Sequence, residues 1–241
     1  MTKTAIPAPN YPRPLTTVDV VIFTALDEQL QVLLVKRPDG PKEPFPGHWA
    51  LPGGFVDVDK DTSLETCALR KLKEKTGVDA PYLEQLGSWG SAERDPRGWS
   101  ATHVYFALLP QAAVQLEKGA NAAEVAWHPV IDHKVKPKLA FDHAEILAVA
   151  IERLRSKSEY SSLPAYLLPA EFTLPELQQA YEVVLGRPVD KSAFRTRVLS
   201  AEVVEETGDQ RYTTNRPAAL YRLKQPGALT FFPRTFSPRK D

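Results

Sequence analysis

The chain has 241 residues, of which 43% are hydrophobic and 25% are charged, and its basic and acidic residues balance at a formal net charge of +0. This composition is typical of a globular protein with room for two domains, and the neutral balance gives no overall indication of a nucleic acid or membrane partner. The single cysteine, Cys67, cannot form an internal disulfide, and the sequence has neither a signal peptide nor an apolar run of membrane-spanning length. We therefore expect a cytoplasmic protein that does not enter a membrane.

The N-terminal half alternates strand and helix signals. Residues 1–15 are rich in proline, which predicts an extended arm. The apolar, β-branched runs VDVVIFTA and QVLLVKR indicate a pair of strands, and HWALPGGFVD indicates a short strand that ends in a Gly-Gly turn. Thr62 and Glu65 have the spacing of a capping box, which predicts a helix that Gly77 closes.

The middle of the chain predicts three more strands, a helix and a domain boundary. The strands are expected around YLEQLGSWGS, SATHVYFALLP and EVAWHPV, and apolar residues at helical spacing predict a helix from about Asp142. The short polar segment 156–162 is interpreted as a linker. We therefore expect a first domain at 16–157 and a second domain at 158–241.

The C-terminal part predicts two helices that are joined by a tight turn. Thr173 and Glu176 form a second capping box, Gly186 ends that helix, and Asp190 is suited to cap the next one. Two helices joined so closely are typical of a helix-turn-helix. The segments VVEE and LYRLK flank TGDQRYTTNRPAA and are interpreted as the two strands of a β-wing.

The segment from Gly53 to Val78 contains a long motif. It resembles the Nudix box, and the elements that match are Gly53, Gly54, Leu64, Arg70, Leu72, Glu74, Gly77 and Val78. The resemblance covers most of residues 16–155 and implies a Nudix fold, in which a mixed β-sheet lies between helices. With the C-terminal helix-turn-helix and wing, the expected fold class is α/β (α+β): a Nudix fold followed by a winged helix-turn-helix domain.

The predicted box helix lacks the carboxylates that this family uses to hold magnesium. Positions 71, 74 and 75 share one helical face, where three carboxylates would converge on divalent cations. This chain has Lys71, Glu74 and Lys75 there, and two ammonium groups repel a metal ion. We therefore predict no metal site and no catalytic residue. Two interpretations stay open for the lysines: they pair with acidic neighbours on an ordinary surface, or they neutralise a bound diphosphate.

A second set of candidate residues lies in the loop AERDPRGW. Arg94 and Arg97 flank Asp95 there; arginines in such a loop suit bidentate contact with phosphates, although Asp95 is equally suited to pair with Arg97 and stiffen the turn. Trp49 is a candidate for stacking on adenine or for the core. The residues expected to bind a small-molecule effector in the Nudix-like domain are Arg37, Trp49, Gly53, Gly54, Phe55, Lys71, Glu74, Arg94, Asp95, Arg97 and His103.

The predicted second helix of the C-terminal domain has the pattern of a DNA-recognition helix. Phe194 and Val198 are four residues apart and are expected to face the core, while the opposite surface is basic and polar. The expected DNA contacts are Lys191, Ser192, Arg195, Thr196, Arg197, Arg211, Arg216 and, on the arm, Arg13. A solvated amphipathic helix with a basic tail is the alternative interpretation.

Two sequence stretches extend the resemblance to a narrower family. PFPGHWALPGGFVD and AERDPRGW are similar to the ADP-ribose-binding branch of the Nudix family, and FTLPELQQAYEVVLGRPVDKSAFRTRVL resembles the Nudix-related transcriptional regulators, NrtR. The resemblance implies a homodimeric repressor of NAD synthesis or salvage genes. ADP-ribose would bind the Nudix-like domain, without a required cofactor, and release double-stranded operator DNA. The alternative is an ADP-ribose pyrophosphatase in which Glu74 and an acidic residue of the loop 57–65 still gather magnesium.

Overall fold

A mixed sheet of seven described strands forms the first half of the molecule. The computed structural model describes residues 11–117, 122–212 and 217–232. The strands are β1 (Leu15–Leu26), β2 (Gln29–Lys36), β3 (Trp49–Ala50), β4 (Gly53–Phe55), β5 (Tyr82–Ser91), β6 (Ser100–Leu108) and β7 (Glu124–Pro129). Their order is β3-β2-β1-β6-β5; β4 also pairs with β1, and β7 with β2. β1 runs parallel to β6 and antiparallel to β2 and β4.

Strand β1 is the centre of this sheet, and the predicted strand pair is confirmed. Residues 17–24 of β1 are all buried, as expected for a strand that is covered on both faces. The turn to β2 uses Asp27 and Glu28, which both have positive φ angles, 51° and 57°. This is the backbone of a two-residue hairpin turn whose twist matches the flanking strands. The predicted arm is one residue too long, because Leu15 already belongs to β1, and residues 1–10 lie outside the described part.

The predicted Gly-Gly turn is wrong, because Gly53 and Gly54 lie in β4. A Cβ atom on Gly53 would lie 2.0 Å from Asp19 Oδ1 and 2.6 Å from the Val18 carbonyl oxygen. Only glycine therefore permits β4 to approach β1 this closely.

The box helix α1 (Leu64–Thr76) begins one residue later than the predicted capping box implied. Ser63, not Thr62, is the N-cap: its Oγ accepts the Thr66 amide at 3.1 Å, and Thr66 Oγ1 accepts the Ser63 amide at 2.9 Å. Thr66 thus takes the reciprocal position that the prediction gave to Glu65. Gly77 ends the helix as predicted, with φ 71°.

Three of the seven residues in the segment interpreted as a linker, 156–162, are buried. Helix α2 (His143–Ser158) continues into it, and a short 3-10 helix, Leu163–Leu167, follows. Ser158, Ser161 and Ser162 are at most 1% exposed. Ser158 and Ser161 donate to carbonyl oxygens of α2 at 2.7 Å, so these polar side chains are satisfied without solvent.

The C-terminal part is a winged helix-turn-helix, as predicted. It consists of β8 (Phe172–Thr173), α3 (Leu174–Leu185), α4 (Lys191–Ser200), β9 (Val204–Tyr212) and β10 (Pro217–Leu223), and its sheet has the order β8-β10-β9. Thr173 with Glu176 caps α3, Gly186 ends it at φ 67°, and Asp190 caps α4.

Three hydrophobic clusters hold these elements together. One packs α2 against one face of the large sheet, the second packs α1 against the other face, and the third lies inside the winged helix. The first cluster also includes Val184 of α3, so the two halves of the molecule share buried apolar surface. None of the described helices is long and apolar enough to cross a membrane.

Candidate effector cavity and DNA-binding surface

A cavity of about 1060 Å³ opens between α1, β4, the loop after β5 and the start of α2. Nine of the eleven predicted effector residues line it: Arg37, Gly53, Gly54, Phe55, Lys71, Glu74, Arg94, Asp95 and Arg97. Residues distant in sequence therefore meet at one concave surface, which is the usual form of a small-molecule site.

Trp49 and His103 lie outside this cavity, contrary to the prediction. Successive side chains of a strand point to opposite faces, and in β3 it is Ala50 that lines the cavity. The Trp49 ring instead packs edge-on against His128, with centroids 4.4 Å apart. His103 lies on β6, and its Nδ1 is 2.9 Å from Ser88 Oγ.

The two lysines of the box helix belong to the cavity wall. Lys71 Nζ lies so close to Gly54 that a Cβ on this glycine would be 3.2 Å away, and it is 3.9 Å from Glu74 Oε2. Lys75 also lines the cavity, and the pKa of its ammonium is lowered by burial and by neighbouring Lys71, against the opposing effect of Glu74. These positions place two ammonium groups where an anionic ligand would reach them.

Arg70 donates hydrogen bonds to two carboxylates, Asp61 and Glu74, that would otherwise be available to a metal ion. Its Nε and Nη2 donate to the two oxygens of Asp61 at 2.7 and 2.6 Å, and its Nη1 donates to Glu74 Oε1 at 2.8 Å. The bonds to Arg70 hold the pKa of Asp61 well below its usual range, although burial opposes this shift. Sequence reasoning identified Arg70 only as a motif residue and missed this ion pair.

The donor set around α1 does not suit a divalent cation. Hard cations need several carboxylate or carbonyl oxygens, whereas here Arg70 holds Asp61 and Glu74, with Lys71 beside them. Within residues 11–117, 122–212 and 217–232, no group of three or more His, Cys, Asp or Glu side chains is arranged to hold a metal ion.

Two arginines of the loop after β5, Arg94 and Arg97, each pair with a carboxylate. Arg97 donates from Nε and Nη2 to the Asp95 carboxylate at 3.0 and 2.7 Å, and its guanidinium lies 5.1 Å from the Phe55 ring centre. Burial would raise the pKa of Asp95, but Arg97 and Arg94 outweigh it and the pKa is lowered. The structure therefore shows the turn-stiffening pair, with Arg97 still partly exposed at the cavity.

The second of these pairs, Arg94 with Asp142, connects the loop to the start of α2. Arg94 donates from Nε and Nη2 to the Asp142 carboxylate, both at 2.8 Å, and its side chain is only 5% exposed. Across the cavity, Arg37 donates to Glu43 at 2.8 Å and its guanidinium lies 5.1 Å from the Phe141 ring centre. The cavity thus has cationic groups on several walls.

Two buried polar residues, Asp19 and His143, line the cavity. Asp19 Oδ2 accepts the Thr102 hydroxyl at 2.7 Å and lies 3.6 Å from His143 Nε2. His143 Nδ1 accepts the Leu51 amide at 2.9 Å, which places the ring proton on the nitrogen facing Asp19. Burial raises the pKa of Asp19, but His143, Thr102 and Arg94 together lower it below its ordinary value. Sequence reasoning gave His143 no role because it has no metal-ligand spacing to the other histidines, and its partner Asp19 is distant in the chain.

A shallower groove of about 430 Å³ adjoins the cavity. It shares Arg94 and Phe141 with the cavity and adds the rings of Phe45 and Trp89. The Trp89 indole is fixed by a 3.0 Å hydrogen bond from its Nε1 to Glu145.

Helix α4 presents half of the eight predicted DNA contacts on one exposed face. Phe194 and Val198 are buried as predicted. Four predicted contacts, Lys191, Ser192, Arg195 and Thr196, are exposed on α4. Arg197 also lies on α4, but its guanidinium is already engaged within the protein. It donates to the Glu159 carbonyl at 2.9 Å and lies 4.8 Å from the Phe232 ring centre. It therefore holds α4 against the end of α2.

The other predicted contacts are less available or lie elsewhere. Arg211 on β9 pairs with Glu176 at 2.6 Å. Arg13 is exposed just before β1, and Arg216 lies outside the described residues. Their contact with DNA stays a prediction.

Comparison with known proteins supports both halves of this description. The NUDIX domain family matches residues 15–150, and the NrtR DNA-binding winged helix domain family matches residues 164–223. The chain is 47% identical over 225 residues to the ADPR responsive transcriptional repressor NtrR of Acinetobacter baylyi, covering 93% of this chain and 88% of that protein.

Solved structures are similar over the same regions. Shewanella oneidensis NrtR complexed with a 27mer DNA has 47% identity and a TM-score of 0.78, covering 87% of this chain and 93% of that one. The NUDIX domain of the same protein complexed with ADP ribose has 48% identity and a TM-score of 0.54, covering 60% of this chain and 90% of that one.

The fold and the two sites define a Nudix domain joined to a DNA-binding winged helix domain. At this identity and coverage, the chain belongs to the NrtR family of Nudix-related transcriptional regulators.

Proposed function

We propose that this protein is a transcriptional repressor of NAD biosynthesis or salvage genes, which binds operator DNA and releases it when ADP-ribose occupies the Nudix cavity. The observation that carries the proposal is the position of Lys71 and Lys75 in the cavity wall of a chain that also has a winged helix. The relative from Acinetobacter is named as an ADPR responsive repressor, and the Shewanella protein crystallised with DNA and with ADP ribose.

The cavity suits a diphosphate that binds without a metal ion. Lys71, Lys75 and Arg97 bring positive charge to its walls, and charge-assisted hydrogen bonds to phosphate are among the strong ones. The adjoining groove with Phe45, Trp89 and Phe141 offers aromatic surface to a nucleobase. No cofactor is required in this proposal.

The exposed face of α4 suits the major groove of double-stranded DNA. Lys191 and Arg195 are exposed on this helix, which supports a role in phosphate and base contacts. A homodimer would present two such helices to two half-sites, spaced by one helical turn or a multiple of it. The protein would act in the cytoplasm, with no membrane partner.

We propose further that the protein is not an enzyme. The alternative, an ADP-ribose pyrophosphatase, requires magnesium at Glu74, and Glu74 is held by Arg70 beside Lys71. If the alternative is correct, Glu74→Gln abolishes magnesium-dependent turnover. If the sensor proposal is correct, the wild type shows no turnover to abolish.

Fluorescence anisotropy tests the proposal. Labelled promoter DNA from NAD-metabolism genes is titrated with the full chain, and ADP-ribose is then added with and without Mg²⁺. We expect tight binding that ADP-ribose reverses, with the nucleotide recovered intact by chromatography. Absence of binding to every such promoter, or hydrolysis of the nucleotide, contradicts the proposal.

A further inference from the structure

Helix α2 touches the cavity at one end and the winged helix at the other. Its 16 residues span about 24 Å at 1.5 Å per residue. Ile146, Leu147, Ala150, Ile151 and Leu154 along it are at most 1% exposed. A helix packed this closely along its length shifts as a unit when its ends are displaced.

At the start of α2, Phe141 and His143 line the cavity, and Asp142 between them lines the adjoining groove. Each of the three contacts a different residue of the cavity wall. Phe141 lies under Arg37, Asp142 pairs with Arg94, and His143 meets Asp19. Phe141 also has a φ of 53°, a left-handed backbone that is costly for a bulky residue. The entry to α2 is therefore held by cavity contacts and not by relaxed backbone geometry.

Asp142 occupies the N-cap position of α2 without acting as a cap. Aspartate at this position normally accepts an amide of the first turn, but the Asp142 side chain makes no such bond among the described residues. Both of its oxygens are bonded to Arg94 instead. An anionic ligand in the cavity would compete with Asp142 for Arg94, and an Asp142 carboxylate released from Arg94 would be available to cap α2.

The other end of α2 is bonded to both helices of the helix-turn-helix. Arg155 Nε donates to the Val184 carbonyl of α3 at 3.1 Å, and its Nη1 donates to His133 Nε2 at 2.6 Å. Just beyond the helix, the Glu159 carboxylate pairs with Arg187 at 2.7 Å, and its carbonyl accepts Arg197 of α4 at 2.9 Å. These contacts connect the end of α2 to α3 and, through the Glu159 carbonyl, to the recognition helix α4.

We propose that α2 transmits the state of the cavity to α4, and that the trigger is the exchange of Arg94 from Asp142 to an anionic group of the ligand. This rests on the proposed function, and it assigns the regulation to specific contacts. In it, Arg155 is a positioning residue that couples the two sites without touching ligand or DNA.

The test measures the coupling ratio, defined as the DNA Kd with saturating ADP-ribose divided by the DNA Kd without it, using the full chain. For the wild type we expect a ratio of about 5 to 150, the usual range for allosteric coupling. Arg155→Ala should bring the ratio measurably closer to one, since the Glu159 contacts remain, while leaving ADP-ribose affinity in the absence of DNA unchanged. The matched control is Arg153→Ala on the same helix, since Arg153 bonds Glu84 of the large sheet; its ratio should equal that of the wild type.

Asp142→Asn tests the cavity end independently. It removes the ion pair but keeps a residue that caps helices well, so the variant should bind ADP-ribose more tightly, bind DNA more weakly without ligand, and show a reduced ratio. A wild-type ratio in Asp142→Asn overturns the trigger, and a wild-type ratio in Arg155→Ala overturns the transmission through α2. If Arg155→Ala loses DNA binding altogether, Asp142→Asn decides alone, because it lies far from the winged helix. A ratio of one in the wild type itself would instead refute the proposed function.

Discussion

Helices α1 and α4 both present cations, but in opposite surroundings. On α1, Lys71 and Lys75 lie in the wall of a concave cavity, beside an arginine that is already bonded to two carboxylates. On α4, Lys191 and Arg195 stand on a convex, exposed face. Cations in a partly enclosed cavity are less screened by solvent and suit a small, dense anion, whereas exposed cations in a row suit a long polyanion whose counterions are released on binding.

The largest effect that this comparison predicts is on DNA binding. Lys191→Ala combined with Arg195→Ala should weaken DNA binding by about 2–6 kcal/mol, from about 1–3 kcal/mol for each specific contact. Anisotropy over a range of salt concentrations measures it, and the salt dependence should become shallower as phosphate contacts are lost.

The control for this pair lies on the winged helix outside α4. Arg222 and Lys224 are already paired with Glu205 and Glu202, at 2.7 and 2.6 Å. The double variant Arg222→Ala/Lys224→Ala should therefore have the smaller effect. If it weakens DNA binding as much as the α4 pair does, the distinction between the exposed α4 cations and these paired cations is wrong.

An intermediate effect is expected on α1. Lys71→Ala should weaken ADP-ribose binding without magnesium by about 1.5–3 kcal/mol, the usual contribution of a hydrogen bond to a charged group. Isothermal titration calorimetry measures it. Lys73→Ala on the same helix is the matched control, because Lys73 pairs with Asp79 away from the cavity and its side chain is 60% exposed. Equal losses in both variants would show that general electrostatics, and not the cavity wall, governs affinity.

Local signals made most of the fold predictable from sequence. The cap at Thr173, the glycine ends at Gly77 and Gly186, and the cap at Asp190 each depend on residues a few positions apart, and all are confirmed. The start of α1 was misplaced for an equally local reason, because Thr66 performs the task that the prediction gave to a glutamate.

Long-range contacts were not predictable in the same way. Arg94 meets Asp142 from 48 residues away, and Leu51 meets His143 from 92. Trp49 was expected to bind the effector as a candidate for stacking on adenine, but the sequence does not fix which face of a two-residue strand points inward, and Ala50 lines the cavity instead. In the predicted linker segment, Ser158 and Ser161 are satisfied by the carbonyls of α2, a condition that composition does not reveal.

The smallest expected effect concerns the stability of α1 at low pH. Because Arg70 holds the pKa of Asp61 below its ordinary value of 3.8, the pair stabilises the fold at neutral pH, and this contribution is lost as pH falls below 3.8 through the lower pKa of the folded state. Asp61→Asn should lower the free energy of unfolding at pH 7 by about 1 kcal/mol, since the amide keeps the shape of the carboxylate and one acceptor. It should also reduce the loss of stability below pH 3.8.

Urea denaturation between pH 2 and pH 7 measures the free energy of unfolding at neutral pH and its decrease in acid. Asp59→Asn is the control, because Asp59 is an exposed carboxylate of the same loop. An unchanged acid profile in Asp61→Asn would mean that Arg70 is held by Glu74 alone, and that the α1 cations are less fixed by their neighbours than the structure indicates.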